Sequence, residues 1–318
     1  MEFRQLGGSD LTVSEIALGS WLTYGDRVDR ETAVACVRRA YDLGITLFDT
    51  ANVYGRGAAE TLLGEALAGV DRASYRLATK LYFPMGRGEL GLSATQVRRQ
   101  CDASLSRLGT DYLDLYQCHR FDTVTPLAET MGALTELVQA GKVRHIGFSE
   151  WTAAQIEAAY ALEGVERFVS SQPQYSILWR DPEAEIFPTC ARLGVGHIVY
   201  SPLAQGLLTG KYRPGVAPPA HSRAAGRVTA GAMGRFAKAE AIETAERLRA
   251  VADAAGLPMA RLALAWVLRQ PGVAAAIVGA SRPEQLDETA GAAGIRLDAA
   301  TLAAIDAAVA GPAVADAR

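Results

Sequence analysis

Four residues of this chain have the types that proton transfer at a carbonyl needs, and each follows a short apolar run. Asp49 closes Ile45-Thr46-Leu47-Phe48, with Tyr54 five positions on; Lys80 follows Tyr75-Arg76-Leu77-Ala78-Thr79; His119 follows Tyr112-Leu113-Asp114-Leu115-Tyr116. Reducing a carbonyl leaves an alkoxide that must be protonated, so a general acid is needed beside the oxygen. A tyrosine with a pKa of ~10 is a slow donor at neutral pH, and a lysine ammonium beside it favours the phenolate. Tyr54 would be that acid and Lys80 its partner. Asp49 would keep Lys80 charged and aimed, and His119 would hydrogen-bond and orient the carbonyl oxygen. Each residue alone has a plainer explanation: a packing tyrosine, a solvated lysine, a capping aspartate, a satisfied strand-end histidine. Together they call for one surface that gathers strand ends.

A parallel α/β sheet supplies such a surface, because all its strand C-termini lie on one face. Apolar runs at Ile16-Ala17-Leu18, Ile45 to Phe48, Tyr75 to Thr79, Tyr112 to Tyr116, His145 to Phe148, Phe168 to Ser171, Ile198 to Tyr200 and Ala274 to Val278 do not alternate with polar residues, as expected of strands buried on both faces. Helical patterns separate them. Asp29 to Leu43 sets Val34, Val37 and Tyr41 on one face before Gly44, and Ser93 with Gln96 has capping-box spacing ahead of Val97, Cys101, Leu105 and Leu108. About eight strand-helix units predict a (β/α)8 TIM barrel. A doubly wound open sheet is the competing architecture, but Gly55-Arg56-Gly57-Ala58-Ala59-Glu60 lacks the third glycine of a dinucleotide fingerprint. The Gly7-Gly8 turn predicts an N-terminal β-hairpin across the barrel bottom. A long loop after strand seven, Leu203 to Phe236, is rich in Gly, Pro and Arg without periodicity, and is read as a functional loop over the site. The Ala-rich end is expected to fray.

Residues 1–318 are read as a single domain, within the range of barrels. With 32 basic and 35 acidic residues the net charge is −3, which suggests neither a nucleic-acid partner nor a membrane surface. Small molecules are the expected partners, with homo-oligomer formation left open. No signal-like apolar run opens the chain, and a cytoplasmic protein is expected. The 4 cysteines, Cys36, Cys101, Cys118 and Cys190, lack metal-ligand spacing, so they are expected to be reduced and buried, and no metal site is expected.

Several segments carry a resemblance to the aldo-keto reductases, in the branch of potassium-channel β-subunits and bacterial glyceraldehyde-phosphate reductase-like enzymes. They are Phe48-Asp49-Thr50-Ala51-Asn52-Val53-Tyr54-Gly55, Thr79-Lys80, Asp114 to Arg120, Ser201-Pro202-Leu203-Ala204-Gln205-Gly206 through Gly210-Lys211-Tyr212, and Gly279 to Leu286. The resemblance assigns Asp49, Tyr54, Lys80 and His119 the four roles above, and it implies NADPH/NADP⁺ as cofactor. It further implies that Ser149 and Gln172 hold the carboxamide and that Tyr200 stacks on nicotinamide, with Gly19, Ser20, Trp21 and Asp49 nearby. Leu203, Gln205, Gly206 and Leu208 would present backbone N–H groups to the pyrophosphate, with Lys211 adding charge, and Ser201 and Pro202 would also contact the cofactor. Arg223, Gly279, Ser281, Arg282 and Gln285 resemble the contacts to the adenosine and 2′-phosphate, and Glu288 the adenine contact. Glu150 and Thr289 depart from the family pattern.

The implied activity is NADPH-dependent reduction of aldehydes, ketones or sugar aldehydes to alcohols. The competing reading is an NADPH-binding redox-sensing regulatory subunit docked on a partner protein; His119 favours the enzyme, because the channel subunits carry Asn there. A metal-dependent hydrolase is disfavoured, since His145, His197 and His221 form no ligand set with His119. Trp21, Tyr54, Tyr82 and His119 are expected to meet substrate. The wider walls are expected from Tyr24, Leu81, Phe83, Phe121, Trp151 and Trp179, with Arg56, Arg87 or Arg120 available to an anionic group.

Overall fold

The computed structural model describes residues 1–21, 24, 28–220, 222–226 and 230–310; His221 and the chain end at 311–318 lie outside them. In chain order the elements are β1 (Phe3–Gln5), β2 (Thr12–Ser14), β3 (Ile16–Gly19), α1 (Arg30–Asp42), β4 (Leu47–Asp49), α2 (Ala58–Ala66), β5 (Arg76–Leu81), α3 (Ala94–Leu108), β6 (Leu113–Cys118), α4 (Leu127–Gln139), β7 (Val143–Phe148), α5 (Ala153–Tyr160), β8 (Phe168–Ser171), α6 (Ile186–Leu193), β9 (Gly196–Val199), α7 (Ala230–Met233), α8 (Ala239–Ala254), α9 (Met259–Leu268), β10 (Val273–Val278), α10 (Glu284–Ala290) and α11 (Ala299–Ala310). Among the described residues β3 to β10 pair in parallel and β10 returns to β3, closing the (β/α)8 TIM barrel expected from the sequence. Closure excludes the open sheet.

All eight expected strands are present, and all but β8 have shifted ends. Strand β4 begins at Leu47 because Ile45 N–H is spent on the carbonyl of Ala40 at the end of α1. Strands β5 and β6 run on to Leu81 and Cys118, so Lys80 lies within a strand and not after one. Apolarity marks the buried core of a strand, whereas the ladder continues wherever backbone partners exist, even past an ionisable side chain.

Two helices correct the sequence reading. In α1 the buried face is Ala33, Cys36, Val37 and Ala40, while Val34 and Tyr41 are only half-buried. Small side chains let that helix sit close to the barrel; Asp29 caps it, accepting from Thr32 N–H at 2.9 Å, and Gly44 follows its C-cap at φ +80°. At α3, Ser93 accepts from Gln96 N–H at 3.4 Å, but the Gln96 side chain donates to the carbonyl of Gly88, so the capping box is one-sided. The reciprocal box forms instead at Thr152 and Gln155 of α5.

Barrel strands alternate between the helix layer and the interior, and the interior is layered. Its lower layers hold Ala17, Leu47, Ala78, Leu115, Ile198 and Ala275, plugged from below by Leu6, Leu11 and Val13 of the β1–β2 hairpin. The hairpin turn depends on Gly7, at φ +57°, where a Cβ would stand 2.4 Å from the carbonyl oxygen of Gly194. Two residues further along β4, β5 and β6, the same interior rows become Asp49, Lys80 and Gln117, and His119 follows. The polar floor of the site is therefore the next layer above an apolar plug.

No single helix among the described residues is long and apolar enough to cross a membrane. The pair α8 and α9 passes that test only together, bent by 91°, and α9 is buried against the barrel.

Candidate active site

Backbone pairing fixes each member of the polar layer. The ladder continues past the strand ends through Thr50 N–H to Ala78 O, Asn52 N–H to Lys80 O, His119 N–H to Leu81 O, Ser149 N–H to Cys118 O and Gln172 N–H to Phe148 O. Lys80 is fully buried and donates to Asp49 Oδ1 at 2.5 Å and to the carbonyl of Thr50 at 2.8 Å. Tyr54 stands over them: its ring centroid is 5.3 Å from Lys80 Nζ and 5.7 Å, edge-on, from the His119 ring. Tyr54 opens a tight turn in which Gly55, Arg56 and Gly57 all have positive φ. Arg107 lies beneath Gly57, where a Cβ would come within 2.7 Å of its side chain, and pairs with the buried Glu60, which accepts from Thr79 next to Lys80. That brace ties the turn carrying Tyr54 to the strand carrying Lys80.

Electrostatics here depart in one respect from the sequence expectation. Burial first, and then the negative charge of Asp49, push the Tyr54 hydroxyl above its ordinary pKa, with Arg120 opposing. Lys80 does not depress it, because Asp49 at 2.5 Å balances most of the ammonium charge. Burial pulls Lys80 itself below the ordinary lysine value, and Asp49 opposes that pull. His119 is pulled down to about 2 by burial, with Lys80 and Arg120 adding to the effect. The imidazole is therefore neutral at any working pH, and its buried Nδ1 has no hydrogen-bond partner among the described residues. Tyr54 is a neutral phenol and His119 a neutral hydrogen-bonding group.

A cleft of about 1550 Å³ runs from these residues across the C-terminal face. Its lining includes Gly19, Trp21, Asp49, Tyr54, His119, Ser149, Gln172 and Tyr200. Ser201, Pro202, Leu203, Gln205, Gly206, Lys211, Arg223, Gly279, Ser281, Arg282, Gln285 and Glu288 line it as well. The charges of Arg223 and Arg282, after burial, lower the pKa of Lys211. Lys211, Arg223 and Arg282 crowded at one cleft suit a polyanion such as a phosphorylated dinucleotide.

Some expected residues stand elsewhere. Lys80 and Ser20 lie behind the wall, Ser20 donating to Thr50 Oγ1 at 2.8 Å. Leu208 is buried, and both Gly206 and Leu208 spend their N–H groups on the carbonyl of Leu203, so neither is a free donor for pyrophosphate. Gln205 instead turns its side chain to Ser201 Oγ and to Arg223, in a turn where Ser201, Ala204, Gln205 and Gly206 all have positive φ. Thr289 lines the cleft, but its hydroxyl donates to the carbonyl of Gln285. Glu150, at φ +59°, accepts from Gln174 N–H.

The expected apolar walls narrow to three. Trp21, Tyr24 and Phe83 line the cleft, with Phe83 edge-on to His119 at 4.9 Å. Tyr82 packs on the outer edge of Phe83, Leu81 is fully buried, and Trp151 clusters with Phe121, Phe148 and Phe168 behind the barrel wall. Trp179 carries the guanidinium of Arg235, 3.6 Å from its ring. Of the three candidate arginines, only Arg120 lines the cleft. Conversely, the cleft reaches Val28, Asp29 and Thr32 at the start of α1, which the sequence reading missed; they reach it only because α1 neighbours α10 in the closed ring, joined by Arg39 and Asp287. Gln117 was also missed as a site residue. Its signal was strand parity, two positions before His119.

Among the described residues no group of three or more His, Cys, Asp and Glu side chains could hold a metal ion, and all four cysteines are free and buried. The model of the aldo/keto reductase family matches residues 15–310. The chain is 40% identical over 298 residues to a putative voltage-gated potassium channel subunit beta of Schizosaccharomyces pombe, covering 90% of this chain and 86% of that protein. It is 36% identical to a probable voltage-gated potassium channel subunit beta of Arabidopsis thaliana, covering 91% and 90%. It is 35% identical to the L-glyceraldehyde 3-phosphate reductase of Escherichia coli O157:H7, covering 91% and 86%. With that match spanning the whole barrel and its polar layer, the chain belongs to the aldo/keto reductase family.

Proposed function

We propose that this protein is an NADPH-dependent reductase that converts aldehydes, and also ketones or sugar aldehydes, to alcohols. The reading rests chiefly on one arrangement: a neutral Tyr54 phenol and a neutral His119 imidazole sharing one cleft wall over the buried Asp49–Lys80 pair. Bound in the cleft, reduced nicotinamide supplies the hydride to the carbonyl carbon. The protein does the rest. His119 hydrogen-bonds the carbonyl oxygen and holds it near Tyr54, whose Oη gives up its proton as negative charge develops on that oxygen. The paired Asp49 and Lys80 form the buried floor beneath Tyr54. Trp21 and Phe83 exclude water around the carbonyl. Ser149 and Gln172 would hold the carboxamide, Tyr200 would stack on the ring, and Lys211, Arg223 and Arg282 would meet the phosphates.

NADPH consumption with a panel of aldehydes, from neutral aromatic ones to glyceraldehyde 3-phosphate, tests this directly. Turnover with at least one class is expected, with NADPH bound more tightly than NADH. Arg223→Ala and Arg282→Ala should each weaken NADPH by roughly ten- to a hundredfold, with little effect on NADH, as expected for charge-assisted contacts to a 2′-phosphate. Equal losses for both nucleotides would remove the 2′-phosphate assignment. The relatives named as channel subunits support a second reading, an NADPH-binding regulatory subunit docked on a partner. Tight NADPH binding without turnover on any carbonyl would favour it.

A further inference from the structure

The acceptor that holds Lys80 holds two further side chains, Gln172 and Gln117, and the chemistry above does not use the second. Asp49 gives Oδ1 to Lys80, while its Oδ2 lies 2.9 Å from Nε2 of Gln172 and 3.4 Å from Nε2 of Gln117. Nε2 of Gln172 also reaches Oε1 of Gln117 at 3.5 Å. All three side chains are buried, Gln117 completely. A carboxylate paired with an ammonium only accepts, so both amides must turn their NH₂ groups toward it. The two hydrogens of Gln172 Nε2 are then spoken for, one by Asp49 and one by Gln117. What Gln172 can still offer the cleft it lines is its carbonyl oxygen.

We propose that Gln117 is a positioning residue: with Asp49 it locks the side-chain amide of Gln172 in one flip state, so that the cleft meets a hydrogen-bond acceptor and selects a carboxamide N–H in the bound nicotinamide. The inference rests on the cofactor reading above. Turning the Gln172 amide over would set its carbonyl oxygen against the Asp49 carboxylate, and Gln117 adds to that cost because its own Oε1 would then lose the donor it accepts from. Gly147 on the neighbouring strand provides the room, since a Cβ there would come within 2.9 Å of the carbonyl oxygen of Ser170 and 3.2 Å of Gln117 Cγ. Fixing the amide fixes which way the carboxamide lies, and with it which face of the ring meets the carbonyl.

Equilibrium binding of two nucleotides, followed by protein fluorescence, tests the proposal without recourse to activity. The probes are NADP⁺ and its 3-acetylpyridine analogue, in which a methyl ketone keeps the carbonyl oxygen but has no N–H to donate. The unmodified protein should prefer NADP⁺ by about tenfold, the worth of one hydrogen bond to a polarised acceptor. Gln117→Leu should shrink that preference to within about threefold, because the Gln172 amide keeps Asp49 but loses the second acceptor that holds it in one flip state. Gln117→Met, similar in length and equally unable to hydrogen-bond, should do the same and stands in if the leucine variant does not fold. A preference unchanged in a folded variant overturns the proposal, as does equal binding of both nucleotides by the unmodified protein. Failure of the unmodified protein to bind either nucleotide overturns the cofactor reading as well, so the two failures are told apart.

Discussion

At the residue scale the site depends on a phenol that keeps its proton until it is needed. Burial and the Asp49 charge push the Tyr54 hydroxyl up, so at neutral pH essentially every molecule carries the transferable proton. Removing only that hydroxyl should leave the cleft intact. Tyr54→Phe is expected to lower kcat by ~10²-fold or more with NADPH affinity unchanged, measured by steady-state kinetics beside a fluorescence titration. Near-normal kcat in the variant would mean that another group supplies the proton. His119 lies so far below its ordinary value, at about 2, that no step near pH 6.5 in the rate profile belongs to it.

At the element scale, the segment from Leu203 to Phe236 is a long stretch of the cleft wall that lies outside the barrel strands. Residues 221 and 227–229 within it lie outside the described residues. Its first part folds into the turn Ala204–Thr209, and its far end is held by Arg235 on Trp179 and by the burial of Phe236. Between those anchors it carries Lys211 and Arg223 to the cleft, where Arg282 joins them. A segment tied at both ends, with its charges directed at a ligand, should close on that ligand, pay ordering entropy on binding, and limit turnover through cofactor release. Limited proteolysis should cut it readily in the free protein and several-fold more slowly with saturating NADP⁺. Identical cleavage rates with and without nucleotide would mark it as a rigid decoration of the barrel.

For the whole molecule, two buried histidines couple folding to pH. Burial holds His119 at about 2 and His197 at about 3, against ~6.5 in an unfolded chain. Between those limits the unfolded chain binds protons that the native chain refuses, so their contribution is complete above about pH 6.5 and is lost as pH falls below it. Each histidine should cost up to about 1.4 kcal/mol of stability per pH unit over that interval. Urea unfolding is expected to show a lower midpoint at pH 5.5 than at pH 7.5, and His197→Met should reduce the difference. A midpoint independent of pH in the parent protein would count against neutral burial of both rings.

The sequence alone was enough for the barrel and for the four catalytic candidates, because both are written in local patterns: apolar runs of strand length, helix stops such as Gly44, and one polar residue at or just past the end of each run. Those patterns also foretold the hairpin, since the Gly7-Gly8 turn can be recognised without knowing what it touches. They could not say which side chains cross the barrel to meet. Gln117 shares an interior row with His119, yet its bond to Asp49 spans 68 positions in sequence and exists only because β4, β5 and β6 lie side by side. Trp151 and Phe83 looked alike as wall residues until strand pairing sent one ring behind the barrel and the other against His119. The effect of Lys80 on Tyr54 was likewise misjudged from types alone, because a charge acts through its distance to every neighbour, and pairing of β4 with β5 put Asp49 2.5 Å from that ammonium. Residue type and local spacing decided what chemistry was available; the closed ring decided which groups face one another, at what distance and how far from water.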